Sequence, residues 1–325
     1  MKVHILDDWF DTLRGLPCFA KLAGHDVTVW TDHEPDPARL AERVAGAEAL
    51  VLFRERTRIG ADLVDRLPNL RLVSQRSVYP HIDVEALTRK GVVLCSNMHA
   101  GTPSYAAAEL TLALMLAAFR QIPAQVASIR SGGWQMGVGR TLRGRTLGLY
   151  GYGRIAGAVA GYAGALGMEV QWWASDAGRA RAAADGARVA ESREAFFATS
   201  DIVSLHVRLK PETRGIVTAA DLAAMRPDAL FVNTSRSGLV EAGALEAALA
   251  AGRPGFAAVD VFDTEPLTDT AHPLLTNPNV LPTPHIGYVT EDEFDLQFSD
   301  IFDQVAAFAA GAPINVINPQ ALSRA

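Results

Sequence analysis

The sequence predicts an α/β protein of two domains, each built on a doubly wound parallel sheet, with a cleft between them. The chain has 325 residues, which suits two domains of ordinary size. Short apolar runs alternate with helical segments in both halves, and one long apolar helix separates the two series. A hydrophobic content of 49% and a charged content of 20% indicate a globular protein with a large core.

The first hundred residues carry five short apolar runs that predict strands. These runs cover residues 2–6, 26–30, 49–53, 70–74 and 92–95. Helices are predicted between them at residues 37–45, 60–67 and 83–90. Because β and α elements alternate, we expect a parallel sheet with helices on both faces.

The segment that follows breaks the alternation. Residues 104–120 (SYAAAELTLALMLAAFR) predict a long helix with few polar positions, which we expect to be buried between domains or between subunits. This excess of apolar surface predicts a homodimer. The next glycine- and arginine-rich stretch, SGGWQMGVGRTLRG, predicts a linking loop.

Alternation then resumes and continues to the end of the chain. Strands are predicted at residues 146–150, 170–173, 201–207, 229–234, 256–261 and 280–281. Helices are predicted at residues 154–165, 218–225, 242–251 and, as an amphipathic tail, 291–310. This series predicts a second parallel sheet, and a ligand of that sheet would lie outside the carboxyl ends of its strands.

A glycine motif opens the second series. In TLGLYGYGRIAGAVA, Gly151 allows a tight turn, Gly153 lets a pyrophosphate approach the backbone, and Ala156 lets the helix pack close to the strand. The helix then offers free N–H groups to phosphates. The next strand is followed by Asp176, an acid that can bind the adenosine ribose. The motif predicts a Rossmann-like dinucleotide site; the alternative is a glycine turn in an ordinary α/β unit.

Three residues with useful chemistry follow later strands of the same series: Arg236, Glu265 and His285. Arginine offers a planar pair of donors to a carboxylate, and histidine exchanges a proton with a carbonyl oxygen. A carboxylate bonded to that histidine orients it. Singly, each residue has a structural alternative as a surface arginine, a turn residue or a buried histidine. Together, at equivalent strand ends, they suit hydride transfer to a keto acid.

Five ordered motifs across residues 142–288 resemble the D-isomer-specific 2-hydroxy-acid dehydrogenases. They are LRGRTLGLYGYGRIAGAVA, DIVSLHVRLKPETRGIV, MRPDALFVNTSRSGLVEAGALEAAL, VDVFDTEPL and LPTPHIGY. The resemblance implies that Arg236 binds and polarises the substrate and that Glu265 pairs with His285, the acid/base. It also implies a dinucleotide-binding domain at residues 101–288 and a substrate-binding domain formed by residues 1–100 and 289–325.

The resemblance also implies the cofactor contacts. Beside the glycines and Asp176, they are Arg154, Ile155, His206, Val207, Thr234, Ser235 and Asp260. The family usually has an acid directly after the second strand, where this chain has Ala174. Arg179 and Arg181 stand close by and suit a 2′-phosphate. These residues leave NAD and NADP open as the cofactor, and we expect NAD.

The substrate loop departs from the family as well. Its usually glycine-rich stretch is SQRSVYPHID here, which assigns substrate contacts to Arg76, Ser77 and Val78 beside Arg236. NMHAGTPSYAAAE replaces a more usual motif and is expected to bring His99 near the crevice. The resemblance therefore implies a small 2-hydroxy or 2-keto acid without identifying which one.

Two alternative functions share this fold. One is a dinucleotide-sensing corepressor, which the lack of long appended segments disfavours. The other is a phosphite- or formate-type dehydrogenase, although a formate enzyme is expected to have a longer N-terminal portion.

Composition gives further expectations about partners and location. A net charge of −6 argues against a general nucleic-acid partner. No membrane span, signal peptide or metal site is predicted. Cys18 and Cys95 lie among apolar residues and are expected to be buried free thiols of a reducing compartment, by default the cytoplasm.

Overall fold

A computed structural model describes residues 1–98 and 105–323 of the chain. The chain divides into two compact units. Unit 1 comprises Met1–Pro103 and Thr290–Ala325, and unit 2 comprises Ser104–Val289. His99 lies outside the described residues, so its predicted position stays a prediction.

The N-terminal part of unit 1 forms a five-stranded parallel sheet. Its strands are β1 (Lys2–Ile5), β2 (Asp26–Val29), β3 (Ala49–Val51), β4 (Leu72–Arg76) and β5 (Val93–Asn97). Its helices are α1 (Pro37–Arg43), α2 (Ala61–Val64) and α3 (Val84–Arg89). The strand order is β2-β1-β3-β4-β5, with all neighbours parallel. The polar end of β4 stays in the ladder because Arg76 pairs with Asn97, so this strand ends two residues later than predicted.

Unit 2 forms a six-stranded parallel sheet covered by helices. Its helices are α4 (Ala106–Phe119), α5 (Ile122–Arg130), α6 (Arg154–Ala165), α7 (Asp176–Ala184), α8 (Arg193–Thr199), α9 (Ala219–Ala224), α10 (Ala244–Ala250) and α11 (Pro273–Thr276). Its strands are β6 (Thr146–Tyr150), β7 (Glu169–Trp173), β8 (Ile202–Leu205), β9 (Leu230–Asn233), β10 (Phe256–Val259) and β11 (Val280–Pro282). The order is β11-β10-β9-β8-β6-β7. The strand order therefore reverses between β6 and β8, the point where such sheets bind dinucleotides.

Helix α4 packs into the core of unit 2. Its Leu114, Met115 and Phe119 are buried with Leu147 and Leu149 of β6. The prediction that this helix is buried between domains or subunits was therefore incomplete, since one side belongs to the unit's own core. Among the described residues no single helix is long and apolar enough to cross a membrane; α4 and α5 together pass that test by composition, with a 59° bend between them.

The tail helix α12 (Glu291–Ala309) packs on the sheet of unit 1. Thr290 caps it by accepting a hydrogen bond from the backbone N–H of Glu293. Its apolar stripe includes Phe298, whose ring centroid lies 4.3 Å from that of Phe53, two residues beyond β3. The prediction of an amphipathic helix at the C-terminus is confirmed.

Candidate active site

Gly151 makes the turn after β6 possible. Its φ is +116°, and a Cβ there would lie 2.3 Å from the carbonyl oxygen of His206. Its N–H donates to the carbonyl of Trp173 at 2.7 Å. The ends of β6, β7 and β8 are thereby tied together at a position where only glycine fits.

Gly153 opens a space at the start of α6. It is the N-cap of this 12-residue helix, and a Cβ there would meet nothing within 4 Å among the described residues. Arg154 and Ile155 are exposed in the first turn, whereas Ala156 is fully buried against the sheet. Free N–H groups, the helix dipole and the open space fit the pyrophosphate of a dinucleotide.

Strand β7 is not followed directly by an acid that could bind the adenosine ribose. Ala174 follows the strand and is buried. Asp176 is the first residue of α7, its side chain is 97% exposed, and its carboxylate lies 2.6 Å from Nη2 of Arg179. The acid predicted to bind the ribose is therefore paired with an arginine from its own helix.

His206 and Val207 lie just beyond β8, which ends two residues earlier than predicted. Nε2 of His206 lies 2.9 Å from Oγ of Ser204. Burial lowers the pKa of His206 to about 4, so its ring is neutral at pH 7. Val207 packs at the margin of the core. Both residues lie next to Gly151, where the sequence predicted cofactor contacts.

The loop after β9 is fixed by hydrogen bonds of its own. The Asn233 side chain accepts from the N–H of Ser235 and donates to the carbonyl of Arg236. Oγ of Ser235 donates to the carbonyl of Leu205 at 2.7 Å. Thr234 and Thr111 join through their hydroxyls at 2.8 Å. The half-buried Arg236 is thus presented on a rigid turn, and Asn233 is a positioning residue that the sequence analysis did not single out.

Glu265 and His285 are hydrogen-bonded to each other. Nδ1 of His285 lies 2.5 Å from Oε2 of Glu265, while Oε1 accepts the N–H of Phe262 at 2.9 Å. Burial raises the pKa of Glu265, but the hydrogen bond and charge of His285, the Phe262 N–H and Arg236 outweigh it and hold this pKa below its usual value. The carboxylate is therefore ionised at neutral pH and orients the imidazole.

Asp260 holds the loop that carries His285. It is fully buried and accepts hydrogen bonds from the hydroxyl of Thr283 at 2.6 Å and the N–H groups of Ile286 and Gly287 at 2.8 and 2.9 Å. Burial raises its pKa, although these donors oppose the rise. His285 has a φ of 54°, an unusual conformation for a histidine that this network supports.

Tyr288 also shapes the histidine. Its ring stands edge-on to the imidazole, with centroids 5.5 Å apart and planes at 89°. Tyr288 stands in the motif LPTPHIGY, and no role was predicted for it. This edge-on aromatic contact helps to confine the imidazole of His285.

The predicted substrate residues of unit 1 surround the end of β4. Arg76 pairs with Asp300 of α12 at 3.0 Å. Ser77 has a φ of 77°, and its N–H donates to the carbonyl of Asn97. Val78 follows in the same half-buried loop. The backbone of Ser77 is thus fixed by the sheet, and the predicted substrate contacts of this loop stay a prediction.

Two features together define a nicotinamide-dependent oxidoreductase. One is a dinucleotide turn at the point where the strand order of the parallel sheet reverses. The other is an arginine and a glutamate–histidine pair beyond later strands of that sheet. The chain belongs to the D-isomer specific 2-hydroxyacid dehydrogenase family, whose NAD binding domain matches residues 112–287. The resemblance found in the sequence is therefore confirmed. The protein is an NAD-dependent enzyme that acts on CH–OH groups, and the alternative functions are not favoured.

Individual relatives agree with the family. The chain is 36% identical over 306 residues to a glyoxylate reductase of Aeropyrum pernix, with 90% of each chain covered. It is 35% identical over 283 residues to a D-3-phosphoglycerate dehydrogenase of Methanocaldococcus jannaschii, covering 86% of this chain but 53% of that protein. A solved phosphoglycerate oxidoreductase of Vibrio cholerae is 45% identical, with a TM-score of 0.90 and 96% and 100% of the two chains covered. The two-domain parallel-sheet fold is confirmed.

Proposed function

We propose that the enzyme interconverts a small 2-keto acid and its D-2-hydroxy acid, with Arg236, Glu265 and His285 as its catalytic set. The observation that carries this proposal is the 2.5 Å contact between Nδ1 of His285 and Glu265. A carboxylate that holds a histidine through Nδ1 can direct Nε2 at a substrate oxygen. The same carboxylate stabilises the protonated form of the imidazole.

Each catalytic side chain then has one task. Arg236 binds the substrate carboxylate with two donors and polarises the neighbouring carbonyl. His285 gives a proton to the carbonyl oxygen in reduction and takes it back in oxidation. Glu265 keeps the imidazole in place and favours its charged form. The reduced nicotinamide, when bound, supplies the hydride.

Residues at the carboxyl ends of the strands would hold the cofactor. Gly151, Gly153, Arg154 and Ile155 would meet the pyrophosphate and adenosine side. His206, Val207, Thr234, Ser235 and Asp260 would meet the nicotinamide side. Asp260 already accepts three hydrogen bonds, so it would contact the cofactor while it also holds the loop that carries His285. Asp176, whose carboxylate pairs with Arg179, would meet the adenosine ribose.

We assign the substrate carboxylate to Arg236 and, from the family resemblance, additional substrate contacts to Arg76, Ser77 and Val78. The relatives are named for glyoxylate and for phosphoglycerate, so the substrate screen should cover both small and phosphorylated acids. NADH and NADPH oxidation would be followed with glyoxylate, pyruvate, hydroxypyruvate, phosphohydroxypyruvate and larger 2-keto acids. Absence of turnover with all of them, despite measured cofactor binding, would contradict the proposal.

His285→Ala tests the assignment of the acid/base. It should lower kcat by roughly 10²–10⁴, the usual scale for losing such a group, and leave the Kd of the cofactor largely intact. Tyr288→Phe, which keeps the ring that stands edge-on to the imidazole, is measured beside it for comparison. Full activity in His285→Ala would return the histidine to a structural role.

We also propose a homodimer formed through α4, α5 and the loop after them. None of the nine residues of α5, all within the described chain, is buried. Exposed apolar side chains continue through this segment: Leu116, Ile122, Val126, Ile129, Trp134, Met136 and Val138. Such a concentration is typical of a subunit interface. A monomer in light scattering at micromolar concentration would refute the dimer, and Ile129→Asp should shift a dimer toward monomer.

A cytoplasmic location is proposed from the cysteines. Cys18 and Cys95 are both buried free thiols, as the sequence predicted, and burial raises the pKa of each to about 12. Such thiols are unreactive and fit a reducing compartment. Fractionation of the source cells would test this location.

A further inference from the structure

A buried glutamine supports the loop that follows β4. Gln75 lies near the end of this strand and is fully buried. Its Nε2 donates to the carbonyl oxygen of Ser77 at 2.8 Å and, in a longer contact of 3.4 Å, to that of Val78. Oγ of Ser96, on β5, donates to the same carbonyl of Ser77 at 2.7 Å and accepts from Nε2 of Gln75 at 2.7 Å. Two side chains of the sheet therefore hold two consecutive carbonyl groups of the loop.

These contacts determine where the backbone N–H groups of the loop point. In a planar trans peptide the C=O and N–H groups point in opposite directions. The carbonyls of Ser77 and Val78 point at Gln75, so the N–H groups of Val78 and Tyr79 point away from it and out of the core. Among the described residues neither of these two N–H groups donates to an acceptor. Consecutive N–H groups that share one direction can bind an anion such as a carboxylate.

The conformation of this loop is not one that its own residues favour. Ser77 has a φ of 77°, in the left-handed region that favours glycine. Its N–H donates to the carbonyl of Asn97 at 3.1 Å, so Ser77 is held at both its N–H and its C=O group. Because a serine occupies this position, the loop depends on the side chains of Gln75 and Ser96 to keep its peptide planes in place.

The amide of Gln75 has no donor for its own oxygen. Oε1 is buried and accepts no hydrogen bond in the part of the chain that the structure describes. Gln304 of α12 repeats this arrangement, since its Nε2 donates to the backbone carbonyl of Gln75 at 3.0 Å while its Oε1 is buried without a described donor. A buried acceptor without a partner lowers stability. Stabilisation of the fold therefore does not explain why an amide lies under this loop.

We propose that Gln75 is a positioning residue for the substrate, and that with Ser96 it directs the N–H groups of Val78 and Tyr79 at the carboxylate of the 2-keto or 2-hydroxy acid. The inference rests on the proposed function, which gives this loop contacts to the substrate, and it adds the side chains that hold the loop. Gln75 itself does not touch the substrate. It acts by keeping two peptide planes in the orientation that a carboxylate needs.

Gln75→Met tests this proposal, because methionine keeps the length of the side chain and removes both the donor and the unpartnered oxygen. The melting temperature should fall by no more than a few degrees, since the lost contacts are offset by the removal of a buried unsatisfied group. KM for the best keto acid of the substrate screen should rise by about tenfold or more, the scale of a hydrogen bond to a charged group, with kcat within about threefold.

A binding measurement separates the substrate from the cofactor. Oxamate is an analogue of pyruvate that accepts no hydride, and calorimetry would give its Kd on the full chain saturated with NADH. In Gln75→Met the Kd of oxamate should rise by the same factor as KM, whereas the Kd of NADH should stay within about twofold. A residue that served only the fold would change the melting temperature and leave this difference between the two ligands at one.

Gln171→Met is the matched control. Gln171 of β7 is also buried, and its Nε2 donates to Oγ1 of Thr199 at 2.9 Å and to Oγ of Ser200 at 3.0 Å. The substitution is the same, but these contacts hold the sheet of unit 2 and no part of the loop after β4. It should lower the melting temperature and leave KM and the Kd of oxamate within about twofold of the parent values.

Ser96→Ala removes the other donor to the Ser77 carbonyl and decides the question if Gln75→Met does not fold. It should raise KM and the Kd of oxamate together. Unchanged values of both in the folded variant, or an equal rise in Gln171→Met, would overturn the proposal. If the parent reduces no keto acid, the proposed function fails, and the oxamate measurements still decide the role of Gln75. Absence of oxamate binding to the NADH-bound parent would count against that role.

Discussion

Glu265 and His285 lie 20 residues apart in the sequence, and their side chains meet at 2.5 Å. A backbone N–H from Phe262 holds the other carboxylate oxygen, so Glu265 is fixed from both sides. Glu265 is exposed and His285 is partly buried, and the carboxylate engages the ring through Nδ1. This relationship gives the pH dependence of the reaction a definite sign.

Glu265→Gln should move the basic limb of the pH profile for reduction to lower pH. In the proposed mechanism, reduction needs a proton on His285, and an ionised carboxylate at hydrogen-bond distance stabilises the protonated imidazole. The pKa of Glu265 lies below its usual value, so the carboxylate stays charged throughout the neutral range and its loss is felt there. The measurement is kcat/KM for keto-acid reduction against pH. Asp263→Asn, an exposed neighbour, is the control, and an unmoved basic limb would sink the assignment.

Asp260→Asn should lower both stability and turnover. The amide replaces an acceptor oxygen with an NH₂ group that opposes the N–H donors of Ile286 or Gly287. We expect a loss of about 1–3 kcal/mol in the free energy of unfolding, the scale of a buried unsatisfied group. A fall in kcat larger than the fall in cofactor affinity would show that the His285 loop has moved.

Thermal unfolding and the same pH profile measure the two effects of Asp260. Asp263→Asn serves again as the control because it removes an equal charge from the surface. A variant with unchanged melting temperature and unchanged kcat would remove Asp260 from the positioning role.

The sheets could be predicted from the sequence because apolar strands between helices leave a strong pattern. The helices α7 and α8 were not predicted. In α7 the buried positions are only Gly178 and Ala182, so no apolar stripe marks it. The local signals of α7 and α8 are their capping serines, Ser175 and Ser192. Each serine hydroxyl accepts the backbone N–H of the residue three positions later.

The candidate site, too, could be predicted from the sequence only in part. The motifs pointed to the pair of Glu265 and His285 because the family resemblance carries it. The role of Asp260 as a support for the histidine loop depends on donors 23 to 27 residues away and on the positive φ of His285. Neither has a local sequence signal, so this contact follows only from the folded chain.

Arg236→Lys should not rescue the activity lost in Arg236→Ala. Lysine keeps the charge but cannot make the two parallel hydrogen bonds to a carboxylate. We expect KM for the keto acid to rise and kcat/KM to fall by at least about a hundredfold in both variants, equivalent to two charged hydrogen bonds. Steady-state kinetics measure this loss, and calorimetry with ADP-ribose measures cofactor binding beside it. Recovery of kcat/KM to near the parent value in the lysine variant would exclude the two-pronged contact.

The two glycines of the dinucleotide turn should fail in different ways when replaced by alanine. At Gly151 the positive φ and the 2.3 Å approach to the His206 carbonyl leave no room for a methyl group, so Gly151→Ala should lower the melting temperature by several degrees. At Gly153 the backbone is extended, with a φ of −142°, and the added methyl group would enter the open space before α6.

Gly153→Ala should therefore keep the melting temperature of the free protein within a degree or two while weakening ADP-ribose by about tenfold or more, because the methyl group occupies the approach of the pyrophosphate. Thermal unfolding without ligand and calorimetry with ADP-ribose separate the two effects. Each alanine is the control for the other. Equal destabilisation by both would mean that Gly153 serves the fold, and unchanged ADP-ribose affinity in Gly153→Ala would place the pyrophosphate elsewhere.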